Sequence, residues 1–233
     1  MSHFSRICSA LSLFLALAFL TSAHAAGLDA ISSSDSSSAL RQALTQGASA
    51  AVASLGRADG FFGNPKVKIP LPESLKKTEK LMRGLGMGKQ ADELVLSMNR
   101  AAEAAVPEAK ELLLNSVKQM TVQDAKSILT GGDDSVTQYF KRTTSAPLGE
   151  KFLPIVRRAT EKVDLAEKYN KYAKQAAKFG LIDKKDASVE TYVTQKALDG
   201  LYLMIGEEER AIRNDPLGQS SKLLQQVFGA LKK

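Results

Sequence analysis

The sequence predicts an all-α protein: a single multi-helix domain of about eight helices, kinked at its prolines. Apolar residues recur at spacings of three and four along most of the 233-residue chain. The segments between these runs are short, and the sequence contains no internal repeat and no long linker. We therefore assign residues 1–25 to a signal peptide, 26–35 to a flexible tail and 36–233 to one all-α domain.

The N-terminus has the three parts of a secretory signal peptide. Arg6 provides the positive charge, residues 10–20 form a short apolar run, and Ala23-His24-Ala25 fits the small-x-small cleavage rule. We expect cleavage after about Ala25 and a soluble, periplasmic product. An uncleaved anchor is the alternative, but the apolar run is short for a membrane span.

Cleavage would remove the residues that most often carry catalytic or metal chemistry. The only cysteine, Cys8, and both histidines, His3 and His24, precede the cleavage point, and the chain has no tryptophan. The mature chain would then have no disulfide, no zinc site of the usual His/Cys kind and no His-dependent triad. We predict no metal site and no cofactor.

Charge indicates a moderate preference for anionic partners. Without Arg6 the chain keeps 31 of its 32 basic residues against 25 acidic ones, a net charge of +6. The tyrosines fall on inward helical positions and form no stacking platform, so we predict no nucleic-acid partner.

The first helix should begin at Asp35 as its cap and end before Gly56. Its inward stripe is Leu40, Ala43, Leu44, Ala48, Ala51, Val52 and Leu55. A loop rich in Gly and Pro follows, anchored by Phe61 and Phe62, with room for a short edge strand at residues 67–69.

Two helices are predicted next, at about 72–85 and 89–120. The glycines at 84, 86 and 88 separate them, and Pro107 should kink or split the second. Gly84-x-Gly86-x-Gly88-Lys89 is not a phosphate-binding loop, because a helix rather than a strand precedes it and Gln90 stands where Ser or Thr is needed.

Residues 121–144 predict two short helices joined by a sharp corner. Thr121 and Asp124 have capping-box spacing. Gly131 or Gly132 is expected in the left-handed conformation, and Asp133 or Asp134 is expected to cap the next helix. The inward face of that helix is Val136, Tyr139 and Phe140.

The C-terminal part predicts four further helices. They cover about 148–163 with Pro154 inside, then 164–180, then a helix that begins at Asp186 or Ser188 and runs to Asn214, and finally 223–231. The inward face of the third includes Val193 and Leu201.

Several runs of the chain resemble a known family: IPLPESL, MNRAAEAAVPEAK, ILTGGDDSVTQYFKRTT, FLPIV and KALDGLYLMIGEEERAIRNDP. The sequence resembles the bacterial exported family known only as domain of unknown function 4197. The resemblance covers essentially the whole mature chain. It implies an exported, helical, single-domain protein and supplies no activity and no site residues.

Our main functional hypothesis is a non-enzymatic binding protein of the cell envelope. A groove beside the 131–142 corner would hold Asp133, Asp134, Tyr139 and Arg142, together with Arg100. Because the two acids disfavour a strongly anionic ligand, a protein or peptide partner is preferred. Oligomeric state is left open.

Two alternatives come from other classes. Glu207, Glu208, Glu209 and Asp199 are candidate acids for a carboxylate-dependent envelope hydrolase, and Glu208, if it points inward, would need Arg100, Arg142 or Arg213 beside it. The alternative is a solvated acidic turn with a helical ion pair between Glu209 and Arg213. A peripheral binder of anionic lipid would use Lys76, Lys80, Arg83, Lys168, Lys171, Lys174 and Lys178.

Overall fold

The computed structural model describes residues 33–73, 79–80, 83–84, 86, 88–161, 163, 166–167, 169–171, 178, 188–215 and 225. Six α-helices have their bounds within these ranges: α1 (Ser33–Leu55), α2 (Gly88–Ala105), α3 (Ala109–Gln119), α4 (Val122–Thr130), α5 (Ser135–Thr160) and α6 (Val189–Asn214). A 3-10 turn, Val106–Glu108, joins α2 to α3. The all-α, single-domain prediction is confirmed, with fewer helices than the expected eight in the described part.

Helices α5 and α6 form an antiparallel pair. Thr137 contacts Glu209, Thr144 contacts Tyr202 and Thr160 contacts Glu190, so residue numbers rise along one helix as they fall along the other. Helices α1 and α2 both pack on this pair. One apolar core lies between them, and its largest fully buried side chains include Phe61, Phe140 and Phe152.

The first helix follows its apolar stripe closely. Every predicted inward residue of α1, from Leu40 to Leu55, is buried. The helix begins at Ser33, so Asp35 lies in its first turn rather than at its cap. Gly56 donates its backbone N–H to the carbonyl of Val52 at 2.8 Å and ends the helix as predicted.

The loop after α1 is held by side chains rather than by a strand. Phe61 is fully buried, and Phe62 is half-buried. Residues 65–67 form a turn, and the described residues contain no strand. The Asn99 amide occupies both backbone groups of Ile69, accepting from its N–H at 2.8 Å and donating to its carbonyl at 2.9 Å. The anticipated edge strand is therefore replaced by one amide side chain.

Two proline predictions have opposite outcomes. Pro107 splits the long helix as predicted, because it falls in the 3-10 turn between α2 and α3. The predicted break between residues 144 and 148 is wrong, because α5 continues through both Pro147 and Pro154. An interior proline costs about 3 kcal/mol, but Phe140, Leu148 and Phe152 keep one buried face across this region. Packing outweighs the local break.

The corner between α4 and α5 is only partly as expected. Thr121 and Asp124 form the predicted capping box. Gly131 is extended, with φ −83° and ψ 174°, and Gly132 has no positive φ either, so the left-handed conformation expected at one of them is wrong. A Cβ there would stand 2.7 Å from the Ser127 carbonyl oxygen and 2.7 Å from the Ser135 Cβ, so close approach requires the glycine. Within the described part, the glycine with positive φ is Gly86.

The predicted helices at 72–85, 164–180 and 223–231 lie largely or wholly outside the described residues, as does the predicted signal peptide. The capping of α6 by Ser188 is confirmed and is completed by Thr191. None of the helices within the described ranges has the length and apolar character needed to cross a bilayer.

Candidate functional site

A groove with a volume of about 820 Å³ lies between α5 and α6. Six residues of α5 line it: Lys141, Ser145, Ala146, Gly149, Glu150 and Leu153. Six residues of α6 face them: Thr191, Thr194, Gln195, Leu198, Asp199 and Tyr202. We call this feature the α5–α6 groove. Its volume falls in the range of ligand-binding clefts.

Small residues form part of the α5 wall of the groove. A Cβ added at Gly149 would meet no atom of the described residues within 4 Å, so no described side chain packs against the backbone there. Ala146 contributes only a methyl group to the same wall, while Leu153 and Leu198 supply apolar surface. A mid-helix glycine costs roughly 0.5–1 kcal/mol relative to alanine, and no packed neighbour of Gly149 accounts for that cost.

A directed chain of hydroxyl groups borders the groove. Thr144 donates to the Phe140 carbonyl at 2.6 Å, so in its 2.9 Å contact with Tyr202 the phenol is the donor. Ser145 donates to the Tyr202 oxygen at 3.1 Å. Burial raises the pKa of Tyr202, which keeps the phenol protonated as this chain requires. Ser145, its proton committed, can only accept from a ligand.

Thr194 is the anomalous side chain of the groove. It is 8% exposed, and its hydroxyl has no hydrogen-bond partner within the described part of the protein. An unsatisfied buried polar group costs about 1–3 kcal/mol. The fold therefore retains a donor and an acceptor that it does not use itself.

Two charged side chains of the groove lack an ion-pair partner among the described residues. They are Lys141, whose ammonium lies 5.9 Å from the centre of the Tyr202 ring, and Glu150. Asp199 differs, because Lys196 lies 4.0 Å away and Gln195 donates to it at 2.9 Å. The unpaired charges of the groove are thus one cation and one anion.

The residues predicted to form one site at 131–142 lie in different environments. Asp133 and Asp134 are exposed, and Asp134 accepts from Gln138 at 3.1 Å without capping α5 through its side chain. Tyr139 is 4% exposed and donates to the Ser116 carbonyl at 2.6 Å, so its hydroxyl is already committed.

Arg142 is also engaged within the fold. Its guanidinium donates to Asp124 at 2.8 Å and lies 5.5 Å from the Tyr139 ring centre. Bonds from the Thr121 hydroxyl and backbone N–H, together with the nearby Arg142 charge, hold the pKa of Asp124 below its usual range. The Asp124 carboxylate thus joins the α4 capping box to α5.

Arg100 belongs to a different cluster. It donates to Glu103 at 2.6 Å and to Asp59 at 2.8 Å. The buried Glu103 carboxylate accepts the backbone N–H groups of Phe61 and Phe62, each at 3.0 Å. Arg100 therefore fixes the loop after α1, and its contacts do not include the predicted corner residues.

The three consecutive glutamates of α6, Glu207 to Glu209, lie in three different environments. Glu207 pairs with Lys66 at 2.7 Å near the surface. Glu209, rather than Glu208, is the buried acid, and it forms the anticipated i,i+4 ion pair with Arg213 at 3.0 Å. Glu208 lines a crevice of about 20 Å³ between α1 and α6. Burial, and next the charge of Glu207, raise the pKa of Glu208 above its ordinary value.

Glu209 supplies the cap that Asp134 was expected to provide. Its two oxygens accept the backbone N–H groups of Val136 and Thr137 at 3.1 and 3.2 Å. A carboxylate is favoured there by the unpaired N–H groups and the dipole of a helix N-terminus. Because both oxygens are occupied, Glu209 is not free for acid–base chemistry.

Little of the lipid hypothesis falls within the described residues. Lys76, Lys168 and Lys174 lie outside them. Arg83 is bound to Glu79 at 2.8 Å and to Asp92 at 2.5 Å, which reduces its availability to an anionic surface.

Sequence reasoning missed the α5–α6 groove. The spacing of Ser145, Ala146 and Gly149 was a usable signal, because it places three small residues together on one helix. The expected break before residue 148 concealed it.

The fold and the groove define a class: an all-α protein with an open cleft between two antiparallel helices. The chain belongs to the family described as "Protein of unknown function (DUF4197)", whose family model matches residues 30–229. No curated protein and no solved structure matches it.

Proposed function

We propose that this protein is an exported, non-enzymatic binding protein of the bacterial cell envelope and that the α5–α6 groove is its binding site. The proposal moves the site from the 131–142 corner to the groove, since Tyr139 and Arg142 are already engaged within the fold. The signal-peptide pattern of residues 1–25 supports export.

The observation that carries the proposal is the unsatisfied Thr194 hydroxyl beside open space at Gly149. Each feature costs stability, and no other described contact explains either one. A ligand group that bonded Thr194 and filled the space beside Gly149 would offset both costs. Sites of this kind combine apolar walls with a few polar groups that fix orientation.

The hydroxyl groups of the groove favour binding over bond cleavage. A serine or threonine nucleophile needs an adjacent base to take its proton. Ser145 donates instead to Tyr202, whose own proton goes to Thr144. Within the described residues, neither Ser145 nor Thr194 has a carboxylate or amine as a hydrogen-bond partner.

Site-specific photocrosslinking in intact cells tests the proposal. Benzoylphenylalanine would replace Gln195 at the groove and, as the control, Ala104 on the exposed side of α2. Each would be combined with Gly149→Trp, which fills the groove, and with Gly149→Ala, which leaves it open.

We expect an adduct of defined mass at position 195 and none at 104. Gly149→Trp should abolish the adduct, and Gly149→Ala should preserve it, with both variants folded by circular dichroism. An adduct at 195 that survives Gly149→Trp, or equal adducts at both positions, would overturn the assignment.

A further inference from the structure

We infer that the α5–α6 groove binds a short extended peptide segment bearing one acidic and one basic side chain. This inference rests on the proposed function and specifies its ligand. It follows from the length of the groove, the placement of its two unpaired charges and the hydroxyl groups between them.

The length of the groove fits about five extended residues. Its α5 wall runs from Lys141 to Leu153, which at 1.5 Å per residue is about 18 Å along the helix axis. An extended peptide rises about 3.3 Å per residue.

The charges select the character of the ligand. Lys141 and Glu150 are nine positions, or two and a half turns, apart on α5, so they lie at opposite edges of the stripe that lines the groove and are separated by about 13 Å along the axis. Opposite charges about four residues apart on an extended segment would match this axial separation. Asp199 adds little selection, because Lys196 and Gln195 already contact it.

Uniformly charged ligands fit the groove less well. A polyanion would meet Glu150 and Asp199, and a polycation would meet Lys141. Charges at an interface contribute more by repelling like-charged, wrong partners than by adding affinity for the correct one. A segment of mixed charge avoids both penalties.

The hydroxyl groups suit a peptide backbone. Ser145 is restricted to accepting, so it would take a peptide N–H. The Thr194 hydroxyl has no hydrogen-bond partner among the described residues, but it is buried, so a small shift of the groove wall must accompany a bond to a peptide carbonyl or N–H. Leu153 and Leu198 offer apolar contact to the side chains between the two charges.

Fluorescence anisotropy with three labelled, end-capped peptides tests this inference on the full-length protein. The peptides are Asp-Leu-Ser-Leu-Lys, the doubly acidic Asp-Leu-Ser-Leu-Asp and the doubly basic Lys-Leu-Ser-Leu-Lys. At low ionic strength the mixed-charge peptide should bind about fivefold more tightly than the doubly acidic or the doubly basic peptide. A difference of this size is expected for exposed ion pairs.

Charge reversal in the protein sharpens the test. Lys141→Glu should shift the preference to the doubly basic peptide, and Glu150→Lys should shift it to the doubly acidic one. The double variant should again prefer the mixed peptide, bound in the opposite direction. Lys118→Glu and Glu93→Lys make the same changes in net charge at exposed positions outside the groove and should leave the preference unchanged.

The outcomes separate this inference from the proposed function. Equal binding of all three peptides, abolished by Gly149→Trp, would overturn the charge assignment and leave the groove as a binding site. Absence of peptide binding, with the Gln195 adduct intact and dependent on Gly149, would overturn the peptide assignment alone. Absence of both the binding and the adduct would overturn the two together.

Discussion

Two regions of one helix pair differ in whether their polar groups are satisfied. Where α5 begins, Glu209 is 5% exposed and binds two backbone N–H groups and Arg213. Midway along the same pair, Thr194 is buried without a hydrogen-bond partner among the described residues, and none of their atoms lies within 4 Å of a Cβ placed at Gly149. The first region is completed by the chain itself, and the second is left incomplete. The difference distinguishes a structural joint from the proposed binding site.

Glu209→Ala should produce the largest effect on this comparison. It leaves Arg213 and the N–H groups of Val136 and Thr137 without their shared acceptor. Breaking a buried ion pair costs about 3–5 kcal/mol of unfolding free energy, measurable by urea denaturation. Glu207→Ala is the control, because its pair with Lys66 is partly exposed and should contribute at most about 1 kcal/mol. If Glu209→Ala lowered the unfolding free energy by less than about 1 kcal/mol, the contacts of Glu209 would not form a structural joint.

Gly200→Ala should be the next most damaging change. The new Cβ would stand 2.7 Å from Cε1 of Phe61, a fully buried ring, and 3.3 Å from the Val67 Cβ. Overpacking should exceed the gain in helix propensity and lower the unfolding free energy by about 1–2 kcal/mol. Thermal and urea unfolding would measure this. Unchanged stability would mean that the loop after α1 shifts to accommodate the new Cβ at little energetic cost.

Thr194→Val should stabilise the protein and weaken its binding. The substitution removes an unpaired hydroxyl while keeping a β-branched side chain, so the unfolding free energy should rise by about 1 kcal/mol. Affinity for the mixed-charge peptide should fall. Thr144→Val is the matched control and should destabilise, since that hydroxyl bonds Phe140 and Tyr202. A destabilised Thr194→Val protein would show that the hydroxyl has a structural role.

Gly149→Ala should have a smaller, favourable effect. Its Cβ meets nothing within 4 Å, and alanine is preferred in a helix by roughly 0.5–1 kcal/mol. The melting temperature should rise, in contrast to the fall at Gly200, although both glycines lie inside long helices. A lower melting temperature would indicate that α5 needs a flexible point there.

Glu208→Gln should produce the smallest change, visible only as a pH dependence. The raised pKa of Glu208 means that the folded protein holds its proton more tightly than the unfolded chain does. That contribution is complete below the unfolded pKa and is lost as pH rises through the folded pKa. The variant should therefore match the wild type in mild acid and melt slightly higher at neutral pH. Parallel melting curves at all pH values would show that burial of Glu208 has no energetic consequence.

Local patterns predicted much of the fold. The capping box at Thr121 and Asp124, the start at Ser188 and the division at Pro107 each depend on residues close together in the chain. Helical periodicity likewise identified the buried stripe of α1. Such features follow from backbone geometry and need no tertiary information.

The failures concern contacts between distant residues. Glu209 caps α5 across 73 positions, so no local spacing could select it over Asp134. The continuation of α5 through Pro147 depends on packing that outweighs a helix-breaking residue. The groove was missed for a related reason: open space at Gly149 is a property of two helices together and not of either sequence alone.

Asn99 affects whether the segment at residues 67–70 can pair with a strand of another chain. In residues 67–70, the N–H groups of Val67 and Lys68 bond to Asn64, that of Ile69 bonds to Asn99, and Pro70 has none. An extended stretch with free N–H groups would invite pairing by a second polypeptide and, at high concentration, aggregation. This segment therefore offers no free N–H group for strand addition at the position where the sequence predicted an edge strand.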